Sequence, residues 1–433
     1  MTQQTFDGLG IAPKILEILD KLHFTVPTPI QHQSIQPALF GKDIMGIAQT
    51  GTGKTLAFGV PMIQLLAQNR GRGLVLLPTR ELAVQVNDAL NQVGKPLGLK
   101  TAVLIGGENI NRQIAQLSRQ PHIIIATPGR LIDHLDQRKV SLTQISILIL
   151  DEADRMLDMG FAPQIKRILQ AMPQKHQTML FSATMPSDIV NIAKTYMQFP
   201  VRVEVAPSGT ATANVSQELF FVHKEDKPGL LETILKEYKG SVLVFCRTKF
   251  GARKIAHLVR NMNHTSTEIH SNRSLGQRLE ALAGFKMGRY RVMVATDIAA
   301  RGLDVTGIEL VINYDLPEQA NDYVHRIGRT GRASHVGHAI SFATPDQRKD
   351  VKAIERVIQK QLAVSNLPEL PKRKIQPKFI PATSGSFQQY QKKNTNQQFS
   401  DRILSDNRRD HNRPHVFKSK RRPGKPDYRR RQF

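Results

Sequence analysis

The chain has 433 residues, of which 40% are hydrophobic, and a formal net charge of +25. Its one cysteine, Cys246, excludes an intrachain disulfide and fits a reducing compartment, as a buried strand thiol. No apolar run approaches the roughly 18–20 residues that cross a bilayer, and residues 1–10 lack the pattern of a secretory signal. We therefore expect a soluble cytoplasmic protein of two domains whose charge favours a polyanionic partner and no membrane.

The first predicted element is a helix over residues 11–22, because five of its six large aliphatic side chains fall on one face. Short apolar runs then alternate with helix-like segments, which is typical of βαβ units in a parallel sheet. The predicted strands of this first series are 43–48, 74–78, 101–106, 122–127, 145–150 and 177–182.

Small and polar residues interrupt this pattern at VAPSGTATANVSQ (205–217), which we interpret as a linker. A second series of predicted strands follows at 241–246, 266–271, 291–296, 310–314 and 338–344. The predicted fold class is α/β, with two tandem parallel-sheet domains and a disordered basic C-terminal tail. The boundaries are 1–206 for the first domain, 207–215 for the linker, 216–365 for the second domain and 366–433 for the tail.

The tail prediction depends on composition. Residues 371–433 carry 18 Lys and Arg against 4 Asp, a net charge of +14, and contain few aliphatic side chains. Such a segment cannot bury enough apolar surface to order itself. Its charge predicts binding to nucleic acid, and the alternative is a solvated tail that only increases solubility.

AQTGTGKT (48–55) lies between a predicted strand and a predicted helix and matches a P-loop, with Ala48 in place of the first glycine. The backbone must curl so that N–H groups face phosphate oxygens, and Gly51 and Gly53 permit that curl. Lys54 is expected to reach the β- and γ-phosphates of ATP, and Thr55 offers a hydroxyl to Mg²⁺. The alternative is a simple Gly/Thr turn. The predicted nucleotide-binding set is Ala48, Gln49, Thr50, Gly51, Thr52, Gly53, Lys54 and Thr55.

LILDEADRML (148–157) places acids directly after a buried strand. Carboxylates are costly to bury without a cation, and ligands of open α/β sheets bind beyond the carboxyl ends of the strands. We expect Asp151 to hold Mg²⁺ through water and Glu152 to orient or deprotonate the attacking water. The alternative, an acidic helix start, also suits Asp154.

YVHRIGRTGR (323–332) spaces Arg326, Arg329 and Arg332 three apart, on one face of a helix. Three neighbouring cations repel each other unless anions are near, and phosphates provide such anions. The alternative is a solvated basic helix.

Together these motifs resemble the DEAD-box RNA helicases. The resemblance covers about residues 1–345, with the motifs in the family's order. Within the family, the chain resembles the bacterial RhlE-like branch. Besides DEAD (151–154), the P-loop and HRIGRTGR (325–332), it includes PTPIQ (27–31), PTREL (78–82), GG (106–107), TPGR (127–130), SAT (182–184), VLVFCRT (242–248) and ATDIAARGLD (295–304).

The resemblance implies two RecA-like domains that close on ATP and RNA, with ATP hydrolysis coupled to local, non-processive unwinding or remodelling. It implies that Gln31 reads the adenine edge, that Phe6 or Phe24 stacks on the base, and that Ser182 and Thr184 couple the nucleotide site to closure. In the second domain it implies contacts from Asp304 to the ribose, from Arg329 and Arg332 to the γ-phosphate, and from His325 to the first domain.

The resemblance also implies largely sequence-independent RNA contacts by Thr79, Arg80, Gly107, Thr127, Arg130, Thr296 and Arg301. Helix caps and surface charge are the alternative roles for four of these, namely Thr79, Arg80, Thr127 and Arg130. Two positions depart from the family: His23 stands where a glycine is usual, and Ser271 follows His270 where the family has His-Gly. A monomer that acts on ribosomal precursors or in RNA degradation is expected by analogy.

The residues alone leave two other functions open. A DNA translocase would use similar phosphate chemistry, but the adenine motif and SAT favour RNA. A non-catalytic RNA clamp or annealing chaperone would depend on the tail, but Glu152 and the arginine motif favour catalysis.

Overall fold

The computed structural model describes residues 5–49, 51–68, 71–205, 215–300, 308–331 and 337–371. Within these ranges the strands form two seven-stranded sheets, and every pair of neighbouring strands is parallel. The predicted α/β class with two parallel sheets is therefore confirmed. No helix in the described ranges is long and apolar enough to cross a lipid bilayer.

The first sheet has the strand order β3-β4-β2-β5-β6-β1-β7. Its strands are β1 (Ile44–Ile47), β2 (Arg72–Leu76), β3 (Thr101–Leu104), β4 (Ile123–Ala126), β5 (Ile145–Leu150), β6 (Gln177–Ser182) and β7 (Val201–Glu204). Its helices are α1 (Pro13–Lys21), α2 (Pro29–Leu39), α3 (Lys54–Gln68), α4 (Arg80–Gly94), α5 (Ile110–Ser118), α6 (Pro128–Asp136), α7 (Ala153–Asp158), α8 (Ala162–Gln170) and α9 (Ser187–Tyr196).

The second sheet has the order β10-β11-β9-β12-β13-β8-β14. Its strands are β8 (Val215–Phe221), β9 (Val242–Phe245), β10 (Ser266–Ile269), β11 (Val292–Ala295), β12 (Leu310–Asn313), β13 (Gly337–Ala343) and β14 (Ala363–Val364). Its helices are α10 (Lys227–Glu237), α11 (Lys249–Asn261), α12 (Leu275–Lys286), α13 (Asp297–Ala300), α14 (Ala320–Ile327) and α15 (Arg348–Ile358).

Each central strand is apolar on both faces because helices cover both sides of a parallel sheet. In β5, Ile147 and Ile149 pack into the core on one face, whereas Leu148 and Leu150 pack into the core on the other. Because β5 ends at Leu150, Asp151 lies at the carboxyl edge of the sheet, beside the P-loop that follows β1.

Three strands were not predicted. β7 and β14 are short outer strands with exposed positions, and β8 begins with the polar sequence VSQ. Residues 215–217, interpreted as linker, are therefore strand, because they pair with β13. The predicted tail beyond residue 371 and linker residues 206–214 lie outside the described residues.

Candidate functional site

The P-loop connects β1 to α3 with the backbone that the glycines predict. Gly51 and Gly53 have φ angles of +84° and +90°. A Cβ on Gly53 would also lie 2.4 Å from Nε2 of Gln31, so this position needs glycine for space as well as for conformation. The hydroxyl of Thr52 donates to the Gln49 carbonyl at 2.7 Å, which closes the loop before α3 begins.

Lys54 is a buried cation, with 6% of its surface exposed. Its Nζ lies 3.7 Å from Oδ1 of Asp151 and makes no hydrogen bond within the described part of the chain. A buried ammonium group without hydrogen-bond acceptors is costly, so the site favours an anion with several oxygens. Phosphate oxygens meet that requirement.

The two acids after β5 differ in their surroundings. Burial raises the pKa of Asp151 to about 6, although Lys54 lowers it. Glu152 accepts a hydrogen bond at 2.8 Å from Nη1 of Arg155, whose side chain is also buried. The backbone of Glu152 has φ +52°, a left-handed conformation that is uncommon outside glycine and is found in strained functional sites.

These groups line one cavity of about 440 Å³. Phe24, which precedes α2, and Gln31, which lies in α2, also line this cavity. Arg329 lines it from the half of the chain that forms the second sheet. Arg329 follows α14 and is 3% exposed. The structure thus brings the P-loop, both acids and one predicted arginine together between the two sheets.

Asp154 organises a second cluster at this edge. Its Oδ2 accepts hydrogen bonds from the backbone N–H and the hydroxyl of Thr184, each at 2.8 Å. Its own N–H donates to Oγ of Ser182 at 3.2 Å. Burial alone would raise the pKa of Asp154, but the charges of Arg155 and Lys54 and the hydrogen bond from Thr184 hold it below its ordinary value.

His325 belongs to α14 and faces first-sheet residues. Its pKa is lowered to about 4 by burial and by Arg155, while Asp154 opposes that change. The imidazole is therefore neutral near pH 7. His325 and Arg155 line one small cavity, and the bridge from His325 to the first domain stays a prediction.

The expectation that phosphates balance all three arginines is wrong for Arg326. Its guanidinium pairs with both carboxylate oxygens of Asp297, at 2.5 and 2.6 Å, and Nη1 donates to Oδ1 of Asn313 at 3.1 Å. The group is 2% exposed and lies 5.0 Å from the ring centroid of Phe245. Arg326 is a structural cation of the second sheet.

At the adenine motif, Gln31 is buried and uses part of its amide within the protein. Its Oε1 accepts from the Thr28 N–H at 2.9 Å, and its Nε2 donates to the Gly53 carbonyl at 3.0 Å. Phe24 is 40% exposed and lines the cavity, whereas Phe6 is 4% exposed and packs in the hydrophobic core. His23 has φ +61°, which explains why glycine suits this position.

Several predicted RNA contacts lie at the carboxyl ends of first-sheet strands. The guanidinium of Arg80 lies over Gly106 and Gly107, so closely that a Cβ on Gly107 would be 2.1 Å from Nη1. From the other side, Arg130 donates to the Ile105 and Glu108 carbonyls at 3.0 and 2.6 Å. The two arginines therefore brace the glycine loop.

The predicted threonines have local roles as well. Thr79 is the N-cap of α4, and its hydroxyl accepts from the Leu82 N–H at 3.3 Å. Thr127 precedes α6 and is buried, and Thr296 follows β11. The helix-cap alternative thus describes Thr79. Four predicted site residues, Thr50, Arg301, Asp304 and Arg332, lie outside the described residues.

Sequence reasoning missed one ion pair between the sheets. Nη2 of Arg278, in α12, lies 2.9 Å from Oε2 of Glu81, in α4, and Glu81 is 1% exposed. The two residues are 197 positions apart, so no local pattern could connect them. Sequence reasoning also missed Arg155 as the partner of Glu152, and Asp154 as the partner of Thr184.

Two family models match the chain. DEAD/DEAH box helicase covers residues 28–192, and Helicase conserved C-terminal domain covers residues 226–334. The first model contains the P-loop and the acids, and the second contains Arg329.

Curated relatives match both halves. The chain is 42% identical over 363 residues to the ATP-dependent rRNA helicase RRP3 of Yarrowia lipolytica, covering 83% of this chain and 76% of that protein. It is 40% identical over 369 residues to the DEAD-box ATP-dependent RNA helicase CshA of Bacillus cereus, covering 84% and 70%.

Solved structures show the same architecture. Dbp5 of S. cerevisiae bound to RNA and ADP BeF3 is 28% identical with a TM-score of 0.73, covering 84% of this chain and 95% of that one. A DEAD box protein from the hyperthermophile Methanococcus jannaschii is 36% identical with a TM-score of 0.51, covering 84% and 99%.

Proposed function

Because this chain belongs to the DEAD-box ATP-dependent RNA helicases, we propose that it hydrolyses ATP in the cavity between its two sheets. As a member of that family it is an RNA-dependent ATPase with two RecA-like domains. One observation carries the assignment of the site: Lys54, Asp151, Glu152 and Arg329 line a single cavity, although Arg329 follows the others by more than 170 positions.

The phosphate end of the cavity supports distinct roles for its residues. Lys54 contacts the β- and γ-phosphates, because its buried Nζ has no hydrogen-bond acceptor among the described residues. Thr55 and Asp151 offer hydroxyl and carboxylate oxygens, the hard donors that Mg²⁺ binds, so these two would hold the ion. When bound, Mg²⁺ neutralises charge on the phosphates.

Glu152 orients the attacking water or accepts a proton from it. Arg155 holds the Glu152 carboxylate in place through its hydrogen bond to Oε2. Arg329 stabilises charge on the γ-phosphate when the domains are closed. The predicted partners Arg332 and Asp304 complete the site in this proposal. Asp154 hydrogen bonds with Ser182 and Thr184 and interacts electrostatically with His325. This arrangement suits these three residues to couple the nucleotide to closure.

The opposite end of the cavity suits adenine. An amide has two donor hydrogens and two acceptor lone pairs, so Gln31 keeps one of each after its bonds to Thr28 and Gly53. One donor and one acceptor match the N6 and N7 edge of adenine. Between the two stacking candidates, the exposed ring of Phe24 is favoured over the buried ring of Phe6.

RNA binds across the carboxyl edges of both sheets in this proposal. The predicted contacts from Thr79, Arg80, Gly107, Thr127, Arg130, Thr296 and Arg301 would meet phosphates and 2′-hydroxyls, without base specificity. The protein acts as a monomer on ribosomal precursor RNA. The rRNA helicase named among its fungal relatives supports that substrate.

The test compares ATP hydrolysis and duplex unwinding for the wild type and Lys54→Ala, with RNA or DNA as the activator. We expect RNA to stimulate wild-type turnover far more than DNA, and the variant to lose both activities while remaining folded. Lys14→Ala, at an exposed lysine of α1, is the control. Normal RNA-stimulated turnover by Lys54→Ala would refute the site. Equal stimulation by DNA would favour a translocase, and no turnover by the wild type would favour an RNA clamp.

A further inference from the structure

The amino-terminal edge of the first sheet carries two adjoining cavities, at the end of the strands opposite the nucleotide cavity. Their volumes are about 660 and 470 Å³, and both are lined by Arg72, Thr143 and Gln144. Arg72 begins β2, and Thr143 and Gln144 directly precede β5. The adjoining cavities therefore form one groove along this edge.

The groove is strongly basic. Four cations line it, Arg72, Arg138, Lys139 and Lys175, and no Asp or Glu is among its lining residues. The last three are exposed. Neither Arg138, Lys139 nor Lys175 has an ion-pair partner within the described ranges. We call these four residues the basic edge.

The backbone holds two of the lining side chains at a conformational cost. Gln120 and Arg138 have φ angles of +54° and +52°. Each lies one residue beyond a helix C-cap, where glycine is usual because only glycine adopts this conformation without strain. Gln120 also accepts a hydrogen bond from Arg72, which holds that guanidinium in the groove. A merely solvated surface does not require such side chains at these positions.

The remaining lining groups define the chemistry of the ligand. Ser141, Thr143, Gln144 and Ser146 supply hydroxyls and an amide, which hydrogen bond to phosphate and ribose oxygens. No aromatic side chain lines either cavity, so the groove lacks both the platforms that stack bases and the usual aromatic anchors of protein interfaces. This combination fits a sugar–phosphate backbone better than an acidic protein.

We infer that the basic edge binds the backbone of an RNA segment that extends beyond the helicase cleft. Strands of five or six residues separate the two edges by about 20 Å. A single strand at roughly 3.4 Å per nucleotide needs on the order of 10 further nucleotides to pass around the domain. The inference rests on the proposed binding of RNA at the carboxyl edge, and it adds a second binding surface for long substrates.

The test uses the full chain and the double substitution Arg138→Glu/Lys139→Glu. Its matched control is Lys349→Glu/Lys352→Glu, which makes the same charge change at exposed positions of α15. Affinity is measured for an RNA of about 10 nucleotides, which fills only the cleft, and for one of about 30 nucleotides. We expect the long RNA to bind the test variant on the order of tenfold more weakly. The slope of log affinity against log salt should become shallower by about 1.4, or 0.7 for each of the two phosphates that the variant no longer neutralises.

A second variant separates binding from folding. Arg138→Gly relaxes the left-handed backbone, so we expect its Tm to be unchanged or higher while affinity for the long RNA falls. A photoreactive uridine in the flank of the long RNA should crosslink to residues 138–146 in the wild type and not in the double variant.

Three results would overturn the inference. They are an unchanged affinity of the double variant for long RNA, an equal loss of affinity in the control variant, and an equal loss of affinity for the short RNA. The first would leave an acidic protein as the ligand class. ATP turnover at saturating short RNA reports the helicase cleft separately, so a failure of the proposed function appears there in the wild type and cannot be confused with these outcomes.

Discussion

Glu152 combines strained backbone, deep burial and a paired carboxylate at the end of β5. Its φ is +52°, it is 3% exposed, and it pairs with Arg155 at 2.8 Å. Removing one member of a buried pair leaves the other charge uncompensated, which costs roughly 3–5 kcal/mol. An isosteric change is therefore needed to test its chemistry apart from its packing.

We expect Glu152→Gln to fold and to bind ATP, because its amide oxygen still accepts from Arg155 while Lys54 and Asp151 are unchanged. Hydrolysis should fall by at least roughly 100-fold, the usual loss when a general base is removed. Because hydrolysis resets the enzyme, the variant with ATP should leave single-stranded RNA far more slowly than the wild type. The measurement is the RNA dissociation rate with ATP present.

Glu152→Ala is the comparison, and it should lose thermal stability because Arg155 is left unpaired. If ATP-bound Glu152→Gln releases RNA as fast as the wild type, hydrolysis is not the step that opens the protein.

Asp151 makes the stability of the ligand-free protein depend on pH. Its folded-state pKa is about 6, against an ordinary value of 3.8, chiefly because of burial. Between these values the folded protein keeps a proton that the unfolded chain has released, so this group lowers the free energy of unfolding as pH rises. Asp151→Asn removes that effect. Its stability relative to the wild type should therefore increase from pH 4 to pH 6 by roughly 2 kcal/mol and become constant above about pH 7.

Tm measured against pH, without nucleotide or metal, checks this prediction. The folded-state pKa already includes the attraction of Lys54, so loss of that ion pair in the variant adds no separate dependence on pH. Asp20→Asn, at an exposed carboxylate of α1, should show no comparable trend. A stability difference between Asp151→Asn and the wild type that is flat across the window would contradict the raised pKa.

The sequence predicted the residues of the phosphate site better than their partners. Lys54, Asp151, Glu152 and Arg329 line one cavity, as their motifs indicated, because P-loop and strand-end positions are fixed by local geometry. Their catalytic roles stay predictions. The pairing of Arg326 with Asp297 was not predictable, because it joins α14 to α13 across 29 positions of the chain. A run of arginines cannot indicate which members already have anions.

At the scale of elements, α12 and α4 form a contact between the two sheets. α12 begins with a capping box of Ser274 and Gln277, which orients its first turn. From that turn, Leu275 packs into the core of the first sheet and Arg278 pairs with Glu81 at 2.9 Å. This contact is suited to stabilise the closed arrangement of the two halves.

We expect Arg278→Ala to weaken closure, because Glu81 would be left as a buried, unpaired carboxylate. The double variant Glu81→Gln/Arg278→Gln should recover part of the closure, with a coupling energy of about 0.5–3 kcal/mol. Single-molecule fluorescence transfer between labels on the two halves, with RNA and a non-hydrolysable ATP analogue, measures the closed fraction. Arg273→Ala is the control, because its carboxylate partner Glu268 belongs to the same sheet. Closure of Arg278→Ala equal to that of the wild type would remove this ion pair from the mechanism.

The central strands were predictable for a physical reason that the outer strands lack. β4 reads IIIA and is buried throughout because both faces are covered. β7 reads VRVE, with two exposed charged side chains at an edge, and this alternation over four residues is too short to separate strand from loop. β8 follows a run of small polar residues, so composition assigned its first residues to the linker.

At the scale of the whole molecule, three clusters of positive charge suit RNA: one around the cleft, one on the basic edge, and one in residues 371–433. The third lies outside the described residues, apart from Pro371, and its disorder stays a prediction from composition. Its charge of +14 favours RNA, because each phosphate that it neutralises releases counterions. Sequence motifs of the ATP site end at Arg332, so the tail should add affinity without taking part in turnover.

Truncation after residue 371 should therefore leave ATP turnover at saturating RNA near the wild-type value while RNA affinity falls. The slope of log affinity against log salt should become shallower by about 0.7 for each phosphate that the tail neutralises in the full chain. A second variant separates charge from stacking by replacing the seven aromatic residues of the tail with alanine. These are Phe379, Phe387, Tyr390, Phe399, Phe417, Tyr428 and Phe433.

If the rings stack on unpaired bases, the alanine variant should bind more weakly with an unchanged salt slope, because stacking is worth about 1–3 kcal/mol per base and releases no counterions. If charge alone acts, the alanine variant should bind as the wild type does, while the truncation still lowers the affinity and flattens the slope. A truncated protein whose salt slope equals that of the full chain would show that the tail does not bind RNA, because 18 cations cannot bind phosphates without releasing counterions.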